Sequence, residues 1–69
     1  GLSLPAIKQS LAALGARIIG FELPQQVRET YRRRFPDDPA MIDLDHWHVF
    51  EQDHPETFAG MYQFWIVKD

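Results

Sequence analysis

The most restrictive feature of this chain is its last segment, Met61–Lys68, which is apolar on both faces. Read as a strand, it carries Tyr62, Phe64 and Ile66 on one face and Met61, Trp65 and Val67 on the other. A strand of this kind needs cover on both sides. A chain of 69 residues buries only about 60% of its unfolded surface, which is too little to supply that cover. We therefore expect something outside this chain to complete the sheet.

Length and composition exclude several classes of protein. The chain is too short for a complete dinucleotide-fold enzyme, and without cysteine it is not a disulfide-stapled miniprotein. Seven basic against ten acidic side chains argue against a nucleic-acid partner. The apolar runs are too short to cross a membrane, so we expect a cytoplasmic protein with no membrane partner. Because it starts at Gly1 and has no methionine before Met41, we expect an excised piece of a longer protein.

The first third of the chain predicts a helix followed by a strand. The helix covers residues 5–14, with Ser3 as its N-cap and Gly15 just after its end. Its apolar face consists of Leu4, Ile7, Leu11 and Leu14. A β-branched run over residues 16–23 predicts the strand, which Pro24 ends. We expect Ile19, Phe21 and Leu23 on one face of this strand and Ile18 and Gly20 on the other.

Two further helices are predicted before the last strand. The first begins at Pro24 and ends near residue 34, with Val27, Tyr31 and Phe35 as its apolar stripe. The second runs from the N-cap Asp43 to about residue 53 and buries Leu44, Trp47 and Phe50. The sequence therefore predicts an α+β chain, residues 1–69, with two antiparallel strands and three short helices. It is either a single small domain or a fragment of a larger one.

Three histidines and a group of arginines are the candidate polar sites. His46, His48 and His54 lie among acidic residues, but His46 and His48 point about 200° apart on a helix, so we expect no metal site. Arg28, Arg32, Arg33 and Arg34 form the basic group. Pairing of Glu29 with Arg32 or Arg33 explains it as ordinary helix charge pairing. The alternative is an arginine that faces an anionic substrate.

Aromatic side chains are concentrated in the last third of the chain. We assign Trp47, Phe50, Phe58, Tyr62 and Trp65 to packing, in a core or at a domain interface. No glycine-rich phosphate loop, nucleophile motif or pair of carboxylates with an obvious catalytic role is present. We therefore expect no catalytic, cofactor-binding or metal-binding residues in this chain.

The order of helix, "ALGARIIGFEL", a long excursion and "MYQFWIVKD" resembles the end of a class I S-adenosylmethionine-dependent methyltransferase. The excursion, and "HPETFAGMYQFW" above all, is similar to the tail of bacterial methyltransferase-like proteins that often carry tetratricopeptide repeats. The resemblance implies that the chain supplies the last helix and the sixth and seventh strands of that fold. Residues 24–60 would then be a helical insertion between the two strands.

The resemblance also implies a function for the parent protein. S-adenosylmethionine would bind to the parent and not to this chain, and the partner of this chain would be the rest of the parent. The insertion would shape the pocket of an unknown methyl acceptor, with Tyr31, Arg32, His46, His48 and His54 as its candidate polar residues. His48 or His54 would be the candidate general base. The main alternative is an autonomous, non-catalytic protein-interaction domain, and a small nucleic-acid binder is a third.

Overall fold

The computed structural model describes residues 2–69 and has three helices and two strands. In chain order these are α1 (Leu4–Leu14), β1 (Ala16–Phe21), α2 (Gln25–Arg34), α3 (Leu44–Asp53) and β2 (Phe64–Lys68). The strands β1 and β2 pair antiparallel in a two-stranded sheet. The predicted α+β class, with three short helices and two antiparallel strands, is confirmed. No helix in the described part of the chain is long and apolar enough to span a membrane.

The helix ends follow local capping chemistry. The Ser3 hydroxyl accepts a hydrogen bond from the Ala6 amide at the start of α1, and Gly15 ends that helix in the left-handed region with φ 67°. The Asp43 carboxylate accepts hydrogen bonds from the amides of Asp45 and His46 at the start of α3. These contacts satisfy amides that have no partner within the helix. The predicted caps at Ser3, Gly15 and Asp43 are confirmed.

One hydrophobic core lies between the helices and one face of the sheet. It consists of Leu4, Ile7, Leu11, Ile18, Tyr31, Met41, Leu44, Trp47, Phe50 and Phe58. The predicted buried faces of α2 and α3 are confirmed, with Val27 and Phe35 packed at the edge of this core. The expectation for Leu14 is wrong, because its side chain is 63% exposed. Leu14 is the last residue of α1, where the chain turns through Gly15 into β1 and no other element covers it.

A β-bulge in β1 changes which of its residues face the core. Ile18 pairs with Ile66 and Gly20 pairs with Trp65, so Ile19 is an extra residue on β1. Beyond the bulge Phe21 returns to the face of Ile18 and packs against the core. The prediction that Ile19 and Phe21 share a face is therefore wrong, because strict alternation fails where a residue is inserted.

The strand β2 is shorter than the predicted segment and lies largely outside the core. Its inner face places the Phe64 ring 5.9 Å from the Phe21 ring, but Ile66 on the same face is 47% exposed. On the opposite face, Trp65 is 61% exposed. The packing assigned to Trp65 does not occur within the described residues, because the strand residues that pack on the core, Ile18, Phe21 and Phe64, lie on the opposite face of the sheet. We call Trp65 and Val67, which share this uncovered side, the outer face.

Candidate functional site

A buried tyrosine–aspartate pair organises the segment that joins α2 to α3. The Tyr31 side chain is fully buried, and its hydroxyl donates a 2.6 Å hydrogen bond to Asp38. The same carboxylate accepts hydrogen bonds from the amides of Asp43, at 2.9 Å, and Ile42, at 3.3 Å. Because the carboxylate accepts from α2 and from two amides of the segment that leads into α3, it fixes the path of the chain into α3.

These hydrogen bonds also decide the protonation states of the pair. Burial by itself would raise the pKa of Asp38, but the hydrogen bonds from Tyr31, Asp43 and Ile42 outweigh it and hold that pKa below its usual value. Burial, together with the hydrogen bond to Asp38, raises the pKa of Tyr31 well above its ordinary value. The structure therefore places the candidate acceptor-pocket residue Tyr31 in the core, as a neutral donor to a carboxylate.

His46 lies at the start of α3, beside the same segment. Its Nε2 atom lies 2.7 Å from a carboxylate oxygen of Asp37, and its ring stacks on the Phe35 ring at 4.4 Å. The hydrogen bond with Asp37 raises the pKa of His46, and the same contact lowers the pKa of Asp37. His46 is thus held against Asp37 near the start of α3.

The other two histidines occupy different surroundings on α3. His48 is half-buried, and its Nδ1 atom is buried without a hydrogen-bond partner in the described part of the chain. His54 is exposed, with its ring 4.5 Å from the Phe50 ring. It lines a surface pocket of about 370 Å³ between the start of α2 and the end of α3, together with Val27 and Thr30.

The arginines of α2 are paired differently from what the sequence predicts. Glu29 accepts a hydrogen bond from Gln25 and none from the arginines. Arg34 forms an ion pair with Asp53 of α3, and Arg33 donates to the Thr30 hydroxyl. Arg32 is exposed and pairs with no acid among residues 2–69. The proposed helix charge pairing with Glu29 therefore does not form.

The five candidate acceptor-pocket residues do not converge on one pocket in this structure. Tyr31 is in the core, Arg32 is on the surface of α2, and His46 and His54 lie at opposite ends of α3. Eight residues of helix separate these two histidines by about 12 Å. Among residues 2–69, no group of three or more histidines and acids could hold a metal ion.

Two acidic residues have structural roles that the sequence did not predict. Asp38 stands in the Pro36–Pro39 stretch, which reads as a linker, although a short acid just before a capped helix is a usable signal for a turn. Glu51 accepts hydrogen bonds from the Tyr62 hydroxyl at 2.9 and 2.7 Å. Burial and this contact raise the pKa of Tyr62 to about 12. The Tyr62–Glu51 pair ties the segment before β2 to α3.

The outer face is the most distinctive surface of the molecule. Trp65 and Val67 are 61% and 36% exposed, and among residues 2–69 β2 pairs with β1 alone. The only polar contact of the Trp65 indole is a hydrogen bond to the Glu22 carboxylate. An apolar sheet face beside an unpaired strand edge can take up a further strand or a covering helix.

Comparison of the chain with protein-family models, with curated proteins and with solved structures found no match.

Proposed function

We propose that this chain is the carboxyl-terminal part of a class I S-adenosylmethionine-dependent methyltransferase-like protein, in which it completes the central sheet. The observation that carries the proposal is the exposure of β2 on both faces, at Trp65 and Ile66. The resemblance of "HPETFAGMYQFWIVKD" to the tail of such proteins supports the same role. In this role the parent supplies the cover that the two apolar faces require.

The energetics favour a covered state for this surface. Burial of apolar area contributes about 25 cal/mol per Å², and a side chain such as tryptophan buries up to about 250 Å². Trp65, Ile66 and Val67 therefore offer several kcal/mol that the isolated chain does not use. The free edge of β2 adds backbone donors and acceptors that a neighbouring strand of the parent would pair.

The insertion at residues 24–60 would lie beside the methyl acceptor in the parent. Methyl transfer depends on the placement of the acceptor and, where the acceptor carries a proton, on a general base. Arg32 and His54 are exposed, and His54 lines the pocket between α2 and α3. They are the best-placed groups of the proposed acceptor pocket. S-adenosylmethionine would bind to the parent and not to this chain.

The test uses the two tryptophans to report whether the parent covers the outer face. With fluorotryptophan in the chain, ¹⁹F NMR gives one resonance for the buried Trp47 and one for the exposed Trp65. The resonance of an exposed fluorotryptophan shifts between H₂O and D₂O, whereas that of a buried one does not. We expect addition of the remainder of the parent, produced separately, to abolish this solvent-isotope shift for Trp65 and to leave the Trp47 resonance without one. A Trp65 resonance that keeps its solvent-isotope shift in the complex would contradict sheet completion.

A matched pair of variants locates the contact. Val67 on β2 and Val49 on α3 are similarly exposed, at 36% and 42%. Val67→Lys places a charge on the outer face and is expected to prevent association with the parent. Val49→Lys makes the same change away from the sheet and is expected to leave association intact. Equal effects of the two substitutions would argue against the proposed contact.

The packing of the helices favours a second candidate function, an autonomous protein-interaction domain. The core contains ten buried apolar residues, and the buried carboxylate of Asp38 is fully hydrogen-bonded. A chain with such a core is expected to melt cooperatively by itself. If the chain melts cooperatively and does not associate with the parent remainder, the outer face would instead bind a separate partner.

A further inference from the structure

A small cavity lies between β1, the start of α2 and the segment before α3. Its volume is about 100 Å³, and Ile19, Arg28, Met41 and Trp47 are among the residues that line it. It is separate from the pocket beside His54 and is not needed for sheet completion. Apart from Arg28, these side chains are apolar, so the cavity combines a cation with apolar walls.

Arg28 has no counter-ion within the described residues. Its Nε atom is buried and makes no hydrogen bond, and no carboxylate of residues 2–69 lies within ion-pair distance. Buried guanidinium donors are normally paired, because the loss of hydration is otherwise uncompensated. The buried Nε donor of Arg28 is therefore short of an acceptor.

The position of Arg28 on its helix adds to the uncompensated positive charge. Arg28 ends the first turn of α2, where the helix dipole is positive and where the first turn contains no acid. Pro24, the N-cap residue, makes no side-chain hydrogen bond to the free amides. The positive end of the helix and the guanidinium therefore lie close together, with no acid in the first turn of α2 to offset them.

The backbone around the cavity is irregular at two points that both line it. Met41 has φ 59°, a conformation that residues with a Cβ rarely adopt. It is held there by a hydrogen bond from its amide to the Asp38 carbonyl and by one from the Trp47 indole to its own carbonyl. Ile19 is the inserted residue of the bulge in β1. Strained residues and bulges gather at binding sites, where they are maintained because they shape a ligand cavity.

We propose that this cavity binds a carboxylate group, which pairs with the Arg28 guanidinium. The fork of guanidinium donors matches the two oxygens of a carboxylate. A volume of about 100 Å³ corresponds to about three water molecules, which is room for a carboxylate on a short aliphatic stem. The carboxylate comes from a small free acid or from an acidic side chain of another protein. The proposal is independent of the sheet-completing role.

The experiment follows the Arg28 Nε–H resonance by NMR as sodium propionate replaces sodium chloride at constant ionic strength. We expect a saturable shift at Arg28 and at the Trp47 indole. Arg28→Gln removes the response at Trp47, and Arg28→Lys, which keeps the charge but not the fork, weakens binding by about tenfold or more. Arg33→Gln is the control, since Arg33 is exposed and contacts only Thr30.

Two further ligands identify the source of the carboxylate. The peptides Ac-Ala-Glu-Ala-NH₂ and Ac-Ala-Gln-Ala-NH₂ differ only in the charged group. Binding of the Glu peptide more tightly than propionate assigns the site to a protein partner, and the reverse order assigns it to a free acid. The proposal is overturned by a shift that is linear in propionate, by equal binding of phosphate, or by a response that persists in Arg28→Gln. A chain without dispersed amide resonances lacks the cavity and would overturn it as well.

Discussion

The two tryptophans of this chain lie on opposite sides of its sheet in opposite environments. Trp47 is fully buried, stacks on Tyr31 at 3.8 Å and donates its indole hydrogen bond to the Met41 carbonyl. Trp65 is 61% exposed and contacts one surface carboxylate. Tryptophan thus packs in the core on one side of the sheet and is largely exposed on the other.

This difference indicates which parts of the molecule are complete. On the helical side, the aromatic and aliphatic side chains of the core are buried. The buried carboxylate of Asp38 accepts a hydrogen bond from Tyr31. On the outer face, the apolar side chains of Trp65 and Val67 stay largely exposed. We infer that the buried helical side carries most of the stability of the chain, and we propose that the outer face is covered by the parent protein.

The sharpest test of this comparison truncates each tryptophan in turn. Trp47→Ala removes a fully buried side chain and is expected to lower the free energy of unfolding by about 3–5 kcal/mol. At roughly 0.05–0.15 kcal/mol per residue, a chain of 69 residues has a total stability of about 3–10 kcal/mol, so this loss is a large share of the total. Trp65→Ala should change stability by less than about 1 kcal/mol. Urea denaturation measures both, and equal losses would break the comparison.

A smaller effect is expected from the buried carboxylate. Asp38→Asn replaces one acceptor oxygen by an amide that faces donors, and should cost about 1–3 kcal/mol. Asp37→Asn is the matched control, because the neighbouring Asp37 side chain is 69% exposed. Urea denaturation at neutral pH compares the two variants. A larger loss for Asp37→Asn than for Asp38→Asn would show that the buried pair does not organise this segment.

The turn between α1 and β1 gives a third, smaller effect. Gly15 turns α1 into β1 at φ 67°, so Gly15→Ala forces a Cβ into a strained conformation and should cost about 1 kcal/mol. Gly20→Ala is the control, since its φ is not positive and its new Cβ meets no atom within 4 Å. Thermal melts should place the Gly15 variant below the wild type and the Gly20 variant level with it or above. A reversed order would contradict the capping role of Gly15.

The smallest effect is a pH dependence on the helical side. The pKa of His46 is raised by Asp37, so the stability that His46 contributes is complete below about pH 6.5 and is lost as pH rises through its folded-state pKa. The pKa of Asp37 is lowered, so its contribution is complete above about pH 4 and is lost in acid. We expect stability to fall slightly above about pH 6.5. His46→Gln should flatten this fall, and His54→Gln should retain it, in urea midpoints measured from pH 5 to 8.

The sequence was sufficient to predict the elements because their signals are local. Ser3, Gly15 and Asp43 cap helices through contacts within four residues, and the apolar stripes of α2 and α3 follow the helical period. The bulge at Ile19 was not predictable, because an inserted residue leaves no mark in an alternating pattern. Because of this inserted residue, Phe21 lies on the same face of β1 as Ile18.

The candidate site was predicted less well than the fold, since it depends on contacts between distant segments. Asp38 reads as part of a linker, yet it is the buried acceptor of Tyr31. Glu29 has the right spacing for Arg32 and Arg33, but a competing glutamine one turn earlier takes its carboxylate. The uncovered strand was anticipated from its two apolar faces. The methyltransferase role of the parent stays a prediction.

The separation of the two strands along the chain determines the order of folding. Glu22 and Trp65, which are hydrogen-bonded at the edge of the sheet, are 43 residues apart, whereas each helix closes its contacts within a few residues. Closing a loop of that length costs about 3 kcal/mol of chain entropy. Such long-range pairing is slow, so we expect the helices to form first and β2 to pair with β1 last. We therefore expect β2, the strand on which the proposed function most depends, to be the last element to pair.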